Sequence, residues 1–222
     1  MIPIRDHIPT RRVPVLTILL IAANMAVFLF EVPLSARSQQ QFAYAFAAVP
    51  YYVTHHWGLP AALTLVTSMF VQGGWLHILG NMLYLWIFGN NVEDALGRFG
   101  FVVFYFACGI IAGLFQVFAD SSSRVPGIGA SGAIAGVLGA YLVLYPKARI
   151  DTLLIFGFFA ELSSMPAVVV LGFWFILQLF NGVLSFGVSQ SGGVAWFAHI
   201  GGFVAGLVLV NVFVPPWRRQ RL

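Results

Sequence analysis

Long apolar segments constrain this chain most, because each approaches the length that crosses a lipid bilayer. A helix needs about 20 mostly apolar residues to cross the hydrocarbon core. Six segments approach this length, over roughly residues 14–32, 73–90, 99–118, 130–146, 166–186 and 194–214. Only 8% of the residues are charged, whereas about 25% is usual in soluble domains. The sequence therefore predicts an all-α polytopic membrane protein, a bundle of six transmembrane helices.

Basic residues are distributed unevenly between the two sides that six spans define. Both termini then share a side, which holds nine of the eleven basic residues: Arg5, Arg11, Arg12, Arg98, Lys147, Arg149, Arg218, Arg219 and Arg221. The other side holds Arg37 and Arg124. Because lysine and arginine accumulate in cytoplasmic loops, both termini are predicted to be cytoplasmic. This topology explains the net charge of +4, so no nucleic-acid partner is expected.

One connection between the predicted spans is long, and the others are short. This outer loop, residues 33–72, carries aromatic rings at Phe42, Tyr44, Phe46, Tyr51, Tyr52 and Trp57. Since aromatic rings favour the headgroup region, we expect a partly helical loop that lies on the bilayer. The chain has no fixed repeat, so a single membrane domain, 1–222, is predicted, with cytoplasmic tails at 1–13 and 215–222.

Acidic residues are placed in loops or at span ends. The seven are Asp6, Glu31, Glu93, Asp94, Asp120, Asp151 and Glu161. Because ion pumps and cation transporters usually use embedded carboxylates, a transporter or channel is disfavoured. The same placement leaves no acid for a Ser-His-Asp triad. A metal protease is disfavoured too, since no His-Glu-x-x-His motif occurs, and we expect neither metal nor cofactor.

Polar side chains within lipid are costly and tend to be functional. Those at depth are Asn24, His77, Asn81, Gln116, Ser131, Gln178, Asn181 and His199. Ser131 follows a glycine-rich turn at the start of the fourth span, where unpaired N–H groups and the helix dipole favour negative charge. With no carboxylate partner, His199 is explained most simply as the base of a Ser–His dyad. The alternative for the serine is plain helix packing by a small residue.

Small residues recur every four positions in two of these spans. Gly132 and Gly136 form one strip, and Ala198, Gly202 and Gly206 form the other. Such strips let helix backbones touch, although many unrelated bundles contain them. Contact here would bring Ser131 and His199 to hydrogen-bond distance.

His77 and Asn81 are four residues apart and therefore share one helix face. Together they offer N–H donors of the kind that an oxyanion needs. The alternative is a hydrogen bond between helices, worth about 0.6–2 kcal/mol in membranes. In the predicted topology both residues lie in the outer half of the bilayer, with Ser131 and His199.

At these residues the chain resembles the rhomboid intramembrane serine proteases, over about residues 14–214. The matching motifs are His77-Ile-Leu-Gly-Asn81, Gly129-Ala-Ser131-Gly132, Ala198-His199-Ile-Gly-Gly202 followed by Gly206, and Glu93-Asp-Ala-Leu-Gly-Arg98-Phe. Each motif is short, but their order, spacing and side of the membrane are jointly specific.

The resemblance implies a six-helix rhomboid-like bundle in which Ser131 is the nucleophile and His199 the general base. It implies an oxyanion hole formed by His77, Asn81 and the backbone N–H of Ser131, with Gly129 in the loop that shapes it. The implied partners are transmembrane protein substrates within the bilayer. The compact form suits a bacterial cytoplasmic membrane, with the active site toward the outer side.

Two departures from the family pattern are visible. Some bacterial members carry a tyrosine one turn after the serine, stacked on the histidine, and this chain has Ala135 there. The first outer loop also lacks the Trp-Arg pair of some members, since Trp217-Arg218 lies in the tail. Neither change removes the Ser–His dyad. The alternative function is a catalytically inactive rhomboid-like protein that binds transmembrane helices, and the presence of both Ser131 and His199 argues against it.

Overall fold

The computed structural model describes residues 1–56, 58–157, 159–185 and 195–214, and these are mostly helical. The described residues leave out Trp57, the last residue of the fifth predicted span, the first residue of the sixth and the predicted tail 215–222. The helices are α1 Val15–Glu31, α2 Ala36–Phe46, α3 Pro50–His55, α4 Leu59–Thr67, α5 Trp75–Tyr84, α6 Asn90–Leu96, α7 Arg98–Ala119, α8 Ser131–Leu144, α9 Ala167–Ser185 and α10 Trp196–Phe213. A 3₁₀ turn, Ser68–Phe70, follows α4, and a π-helical turn, Leu85–Gly89, joins α5 to α6.

The six apolar segments each contain a helix, but the helices differ in length. Among the described residues, α7, α9 and α10 are long and apolar enough to cross a membrane. Residues 59–70, which contain α4, and residues 75–96, which contain α5 and α6, are bent by 85° relative to each other. If these two segments form one broken span, the structure has a fourth candidate transmembrane helix. Helices α1 and α8 are apolar but have 17 and 14 residues. At 1.5 Å per residue, α8 is only about 21 Å long.

A three-stranded antiparallel sheet corrects the prediction of an all-α fold. Its strands are β1 Ile2–Asp6, β2 Arg149–Phe156 and β3 Phe159–Pro166, in the order β1-β2-β3. Strands β2 and β3 form a hairpin, and β1 pairs with β2. The predicted N-terminal tail and the connection after the fourth span are therefore ordered together. Hydropathy missed this sheet because its strands are short and mix apolar with charged residues, so they resemble polar connections between spans.

Charged and polar side chains join two strands of the sheet to each other and the sheet to the helices. Asp151 accepts a 2.7 Å hydrogen bond from Arg5, whose guanidinium holds the pKa of this carboxyl down at about 2. One carboxylate oxygen of Asp6 accepts 2.6 Å bonds from Asn91 of α6 and from the Tyr141 hydroxyl of α8. The N-terminal segment thus lies at the same end of the bundle as the β2–β3 hairpin, as expected of a connection that follows four spans.

Glu93 lies inside α6 and is buried, which corrects its placement in a loop or at a span end. Its carboxylate accepts hydrogen bonds of 2.8–3.0 Å from the backbone N–H groups of Leu16 and Thr17 and from the Thr17 hydroxyl. The first N–H groups of a helix have no partner within it, so Glu93 caps α1 from a neighbouring helix. The second apolar segment therefore continues as helix to Leu96 rather than ending near residue 90.

Helix α10 packs most extensively against α8, and glycines set how closely the two approach. A Cβ atom added at Gly202 would overlap the carbonyl oxygen of Gly132, and one at Gly206 would overlap that of Gly136. Gly139 meets the backbone of α10 in the same way. The two predicted strips of small residues face each other, and backbone touches backbone along them.

This contact predicts that Gly206→Ala lowers the free energy of unfolding by about 1–3 kcal/mol, the usual cost of overpacking. Gly172→Ala in α9 is the matched control, because its added methyl meets open space. Alanine there gains up to about 1 kcal/mol in helix propensity. Unfolding of both variants in mixed micelles measures the difference, and equal stabilities would show that the close approach is dispensable.

Candidate active site

The predicted site residues lie near the N-terminal ends of three helices. Ser131 is the first residue of α8, His199 is in the first turn of α10, and His77 is in the first turn of α5 with Asn81 one turn later. The sheet lies at the far end of α8. The structure brings all four residues around one open space, and Gly129 lies against the ring of His77.

Ser131 and His199 are in direct contact. The Ser131 Oγ lies 2.8 Å from Nε2 of His199, and Nδ1 of that ring lies 2.8 Å from the side-chain oxygen of Gln178. An amide oxygen accepts hydrogen bonds and cannot donate them, so Nδ1 carries the proton of the neutral ring. The lone pair of Nε2 therefore faces the serine hydroxyl, as a general base requires. The expected proximity is present, and the catalytic roles remain predictions.

His77 is held in the opposite tautomer. The backbone N–H of Gly73 donates to its Nδ1 at 3.0 Å, so the neutral ring carries its proton on Nε2. A Cβ added at Gly129 would lie 2.8 Å from that Nε2. Gly129 also has a φ of 112°, which favours glycine. The loop before Ser131 can therefore lie directly against the N–H group of His77.

Asn81 ends a chain of buried amides. Its Nδ2 donates to the Gln72 side-chain oxygen at 3.0 Å, and Gln72 donates to Asn24 at 2.7 Å. Asn24 in turn donates to the backbone carbonyl of Leu20, at 2.9 Å. Since a carbonyl only accepts, it fixes the direction of each amide along the chain. Asn81 thus presents its NH₂ group, and the contacts of the described residues leave its second N–H for a ligand in the cavity.

Two adjoining open cavities, of about 490 and 230 Å³, meet at this site. Both are lined by Leu76, His77, Asn81, Ser131 and His199. The larger cavity is also bordered by the loop 126–128 that leads to the serine. A serine paired with a neutral base, beside N–H donors and an accessible space, is an arrangement suited to acyl transfer.

Gln72 is a residue of the site that the sequence does not reveal, because it falls at the end of the predicted outer loop. Asn24 and Gln178 stand out in the sequence as polar residues at depth, but with no partner assigned. Gln116, noted for the same reason, accepts a bond from the backbone N–H of Ala198 and so ties α7 to the start of α10.

Comparison with known proteins gives matches to one family. A family model described as Rhomboid domain matches residues 60–216. Rhomboid protein 1, mitochondrial, of Saccharomyces cerevisiae is 32% identical over 136 residues, which cover 59% of this chain and 37% of that protein. Presenilin-associated rhomboid-like protein A, mitochondrial, of Danio rerio is 31% identical over 109 residues, which cover 48% of this chain and 28% of that protein. Rhomboid protease AarA of Providencia stuartii is 25% identical over 221 residues, which cover 90% of this chain and 72% of that protein. The chain thus spans well under half the length of the first two relatives.

The contact between Gly129 and His77 predicts that Gly129→Ala slows covalent labelling of the protein by a fluorophosphonate at least about 100-fold, the usual effect of losing one oxyanion donor. The added methyl would push the loop away from the His77 ring. Gly157→Ala is the matched control, since Gly157 also has a positive φ but open space around it. If the two variants were labelled equally fast, the loop would not shape the site.

Proposed function

This chain belongs to the rhomboid family, and on that premise we propose that it is an intramembrane serine endopeptidase. It cleaves peptide bonds in or near transmembrane segments of membrane proteins. The observation that carries the proposal is the 2.8 Å contact between Ser131 and His199 beside an open cavity. His77 and Asn81 line the same cavity and offer N–H groups to a developing negative charge.

The proposed topology has six spans, both termini in the cytoplasm and the site toward the outer side. A helix lies in each apolar segment, and the sheet gathers Arg5 and Arg149 at one end of the bundle, in keeping with cytoplasmic enrichment of basic residues. Helices α2 to α4 form the proposed interfacial loop. All of this is one membrane domain, of which residues 60–216 match the family model.

The short α8 suits such a bundle because most of its residues are buried among other helices. Protein rather than lipid would then surround most of α8, so little of its backbone would face hydrocarbon. Helix α7, with 22 residues, is about 33 Å long, compared with about 21 Å for α8. Ser131 can therefore lie below the outer surface of the bilayer while remaining open to water through the cavity.

In the proposed acylation step, the Ser131 Oγ attacks the scissile carbonyl carbon while Nε2 of His199 takes the hydroxyl proton. The carbonyl oxygen becomes negatively charged and is stabilised by the Nε2–H of His77, the NH₂ group of Asn81 and the backbone N–H of Ser131. These donors are held in place before the substrate binds, so little reorganisation is needed. His199 then gives its proton to the leaving amine, and the C–N bond breaks.

Deacylation uses water, for which the 490 Å³ cavity is the proposed route. His199 takes a proton from the water, whose oxygen attacks the ester, and returns the proton to the Ser131 Oγ as the C–O bond breaks. A substrate helix must unwind locally to present its carbonyl, because a regular helix keeps its peptide groups in hydrogen bonds. Small and helix-breaking residues at the cleavage site would ease that step.

The comparisons do not favour one particular cellular membrane for this protein. The yeast and zebrafish relatives are named as mitochondrial proteins, so they do not support the prediction of a bacterial cytoplasmic membrane. The bacterial relative named a protease matches more of the chain, at lower identity. We place the protein in a membrane on its apolar helices, and assign no organelle.

Ser131→Ala is expected to lower cleavage of a single-span substrate in liposomes at least about a thousandfold, because no other group replaces the nucleophile. Ser122→Ala, in the exposed loop before α8, is the matched control and should cleave normally. Persistent cleavage by the Ser131 variant would overturn the nucleophile. Binding of the substrate without cleavage by the wild type would favour the inactive, helix-binding alternative.

A further inference from the structure

The geometry points to Gln178 as the residue that positions the base His199, an inference that rests on the proposed function. Gln178 lies on α9 and is 6% exposed, and its side-chain oxygen is 2.8 Å from Nδ1 of His199. The other ring nitrogen contacts the Ser131 Oγ. Gln178 therefore occupies the place in a serine–histidine–acceptor series that an aspartate holds in many serine proteases.

The orientation of the Gln178 amide is fixed by its second hydrogen bond. Its Nε2 donates to the backbone carbonyl of Trp174, one turn earlier on α9, at 3.2 Å. That carbonyl can only accept, so the NH₂ group must point toward it and the amide oxygen must point toward His199. The helix backbone thus selects the histidine tautomer through a single side chain.

The same helix supplies an aromatic neighbour for the histidine. The ring of Trp174 lies 5.9 Å from that of His199 at an angle of 36°, and Trp196 lies at 6.2 Å, edge-on. On α8, the position one turn after the serine is Ala135, whose methyl group is completely buried. The support that some family members draw from a tyrosine at that position comes here from α9.

A neutral acceptor also suits this environment. An amide selects the tautomer without placing a charge inside the membrane, where an unpaired carboxylate is costly. Its oxygen accepts a hydrogen bond from the Nδ1–H throughout the cycle, and the proton stays on Nδ1 while Nε2 gains and loses a proton. No covalent change occurs at Gln178, which acts only through the orientation of His199.

The test compares three full-length variants in liposomes, with kcat and KM for a single-span substrate measured across pH. Gln178→Leu removes the acceptor and should lower kcat about 10- to 100-fold, the size of effect that follows when a metal-bound histidine loses its outer partner, with KM within about twofold. Asn181→Leu is the matched control on the same helix, because its amide bonds to the carbonyl of Leu177. It should leave both constants within about twofold of the wild type.

Gln178→Glu adds a second measurement, the pH dependence of kcat, which should not change if Gln178 has only a structural role. It keeps an acceptor in place, so kcat at high pH should stay within about tenfold of the wild type. The added negative charge favours the protonated ring, so the acid limb of the pH profile should move to higher pH. Among the described residues, His77 and Tyr84 are the other titratable groups that line the cavity beside His199, and both are unchanged in this variant.

Two results would overturn the role of Gln178: a folded Gln178→Leu protein with wild-type kcat, or an acid limb that Gln178→Glu leaves in place. Ser131→Ala is measured in parallel. If it cleaved as fast as the wild type, the proposed function would be wrong instead, and the two failures are therefore distinguishable.

Discussion

The contact between α8 and α10 is the constraint on which the rest of the structure depends. Glycines at 132, 136, 202 and 206 remove the side chains that would otherwise separate the two backbones. Ser131 and His199 lie at the same end of this contact, so the helix spacing sets the distance between Oγ and Nε2. A serine side chain is too short to reach a histidine across helices held apart by larger residues, which is why packing and chemistry share these positions.

Charged groups make the hydrogen bonds that hold the sheet end together, whereas neutral groups hold the reacting side chains at the other end. The sheet end contains full charges, among them Asp151 paired with Arg5, and Glu93 capping α1. Among the described contacts at the site end, the groups that hold the reacting side chains are backbone atoms and neutral amides such as Gln72 and Gln178. Neutral amides orient their partners without the cost of burying an unpaired charge. The reacting side chains are thereby oriented by hydrogen bonds from neutral groups.

The sequence predicts much of this fold, because hydropathy and small-residue spacing report directly on lipid and on close helix contact. It also singles out Ser131, His199, His77 and Asn81, since polar residues at depth are few. It could not reveal the sheet, whose short strands mix charged and apolar residues. It could not pair Gln178 with His199 or Gln72 with Asn81 either, because those bonds depend on how separate helices rotate against each other. Nothing in local sequence encodes that rotation.

The most direct test of a serine–histidine nucleophile is to map the adduct that a fluorophosphonate forms on the intact protein in lipid. Mass spectrometry of the labelled chain should find a single modified residue, Ser131, and His199→Ala should abolish the label while the protein remains folded. A label on another residue, or equal labelling of the His199 variant, would contradict the account.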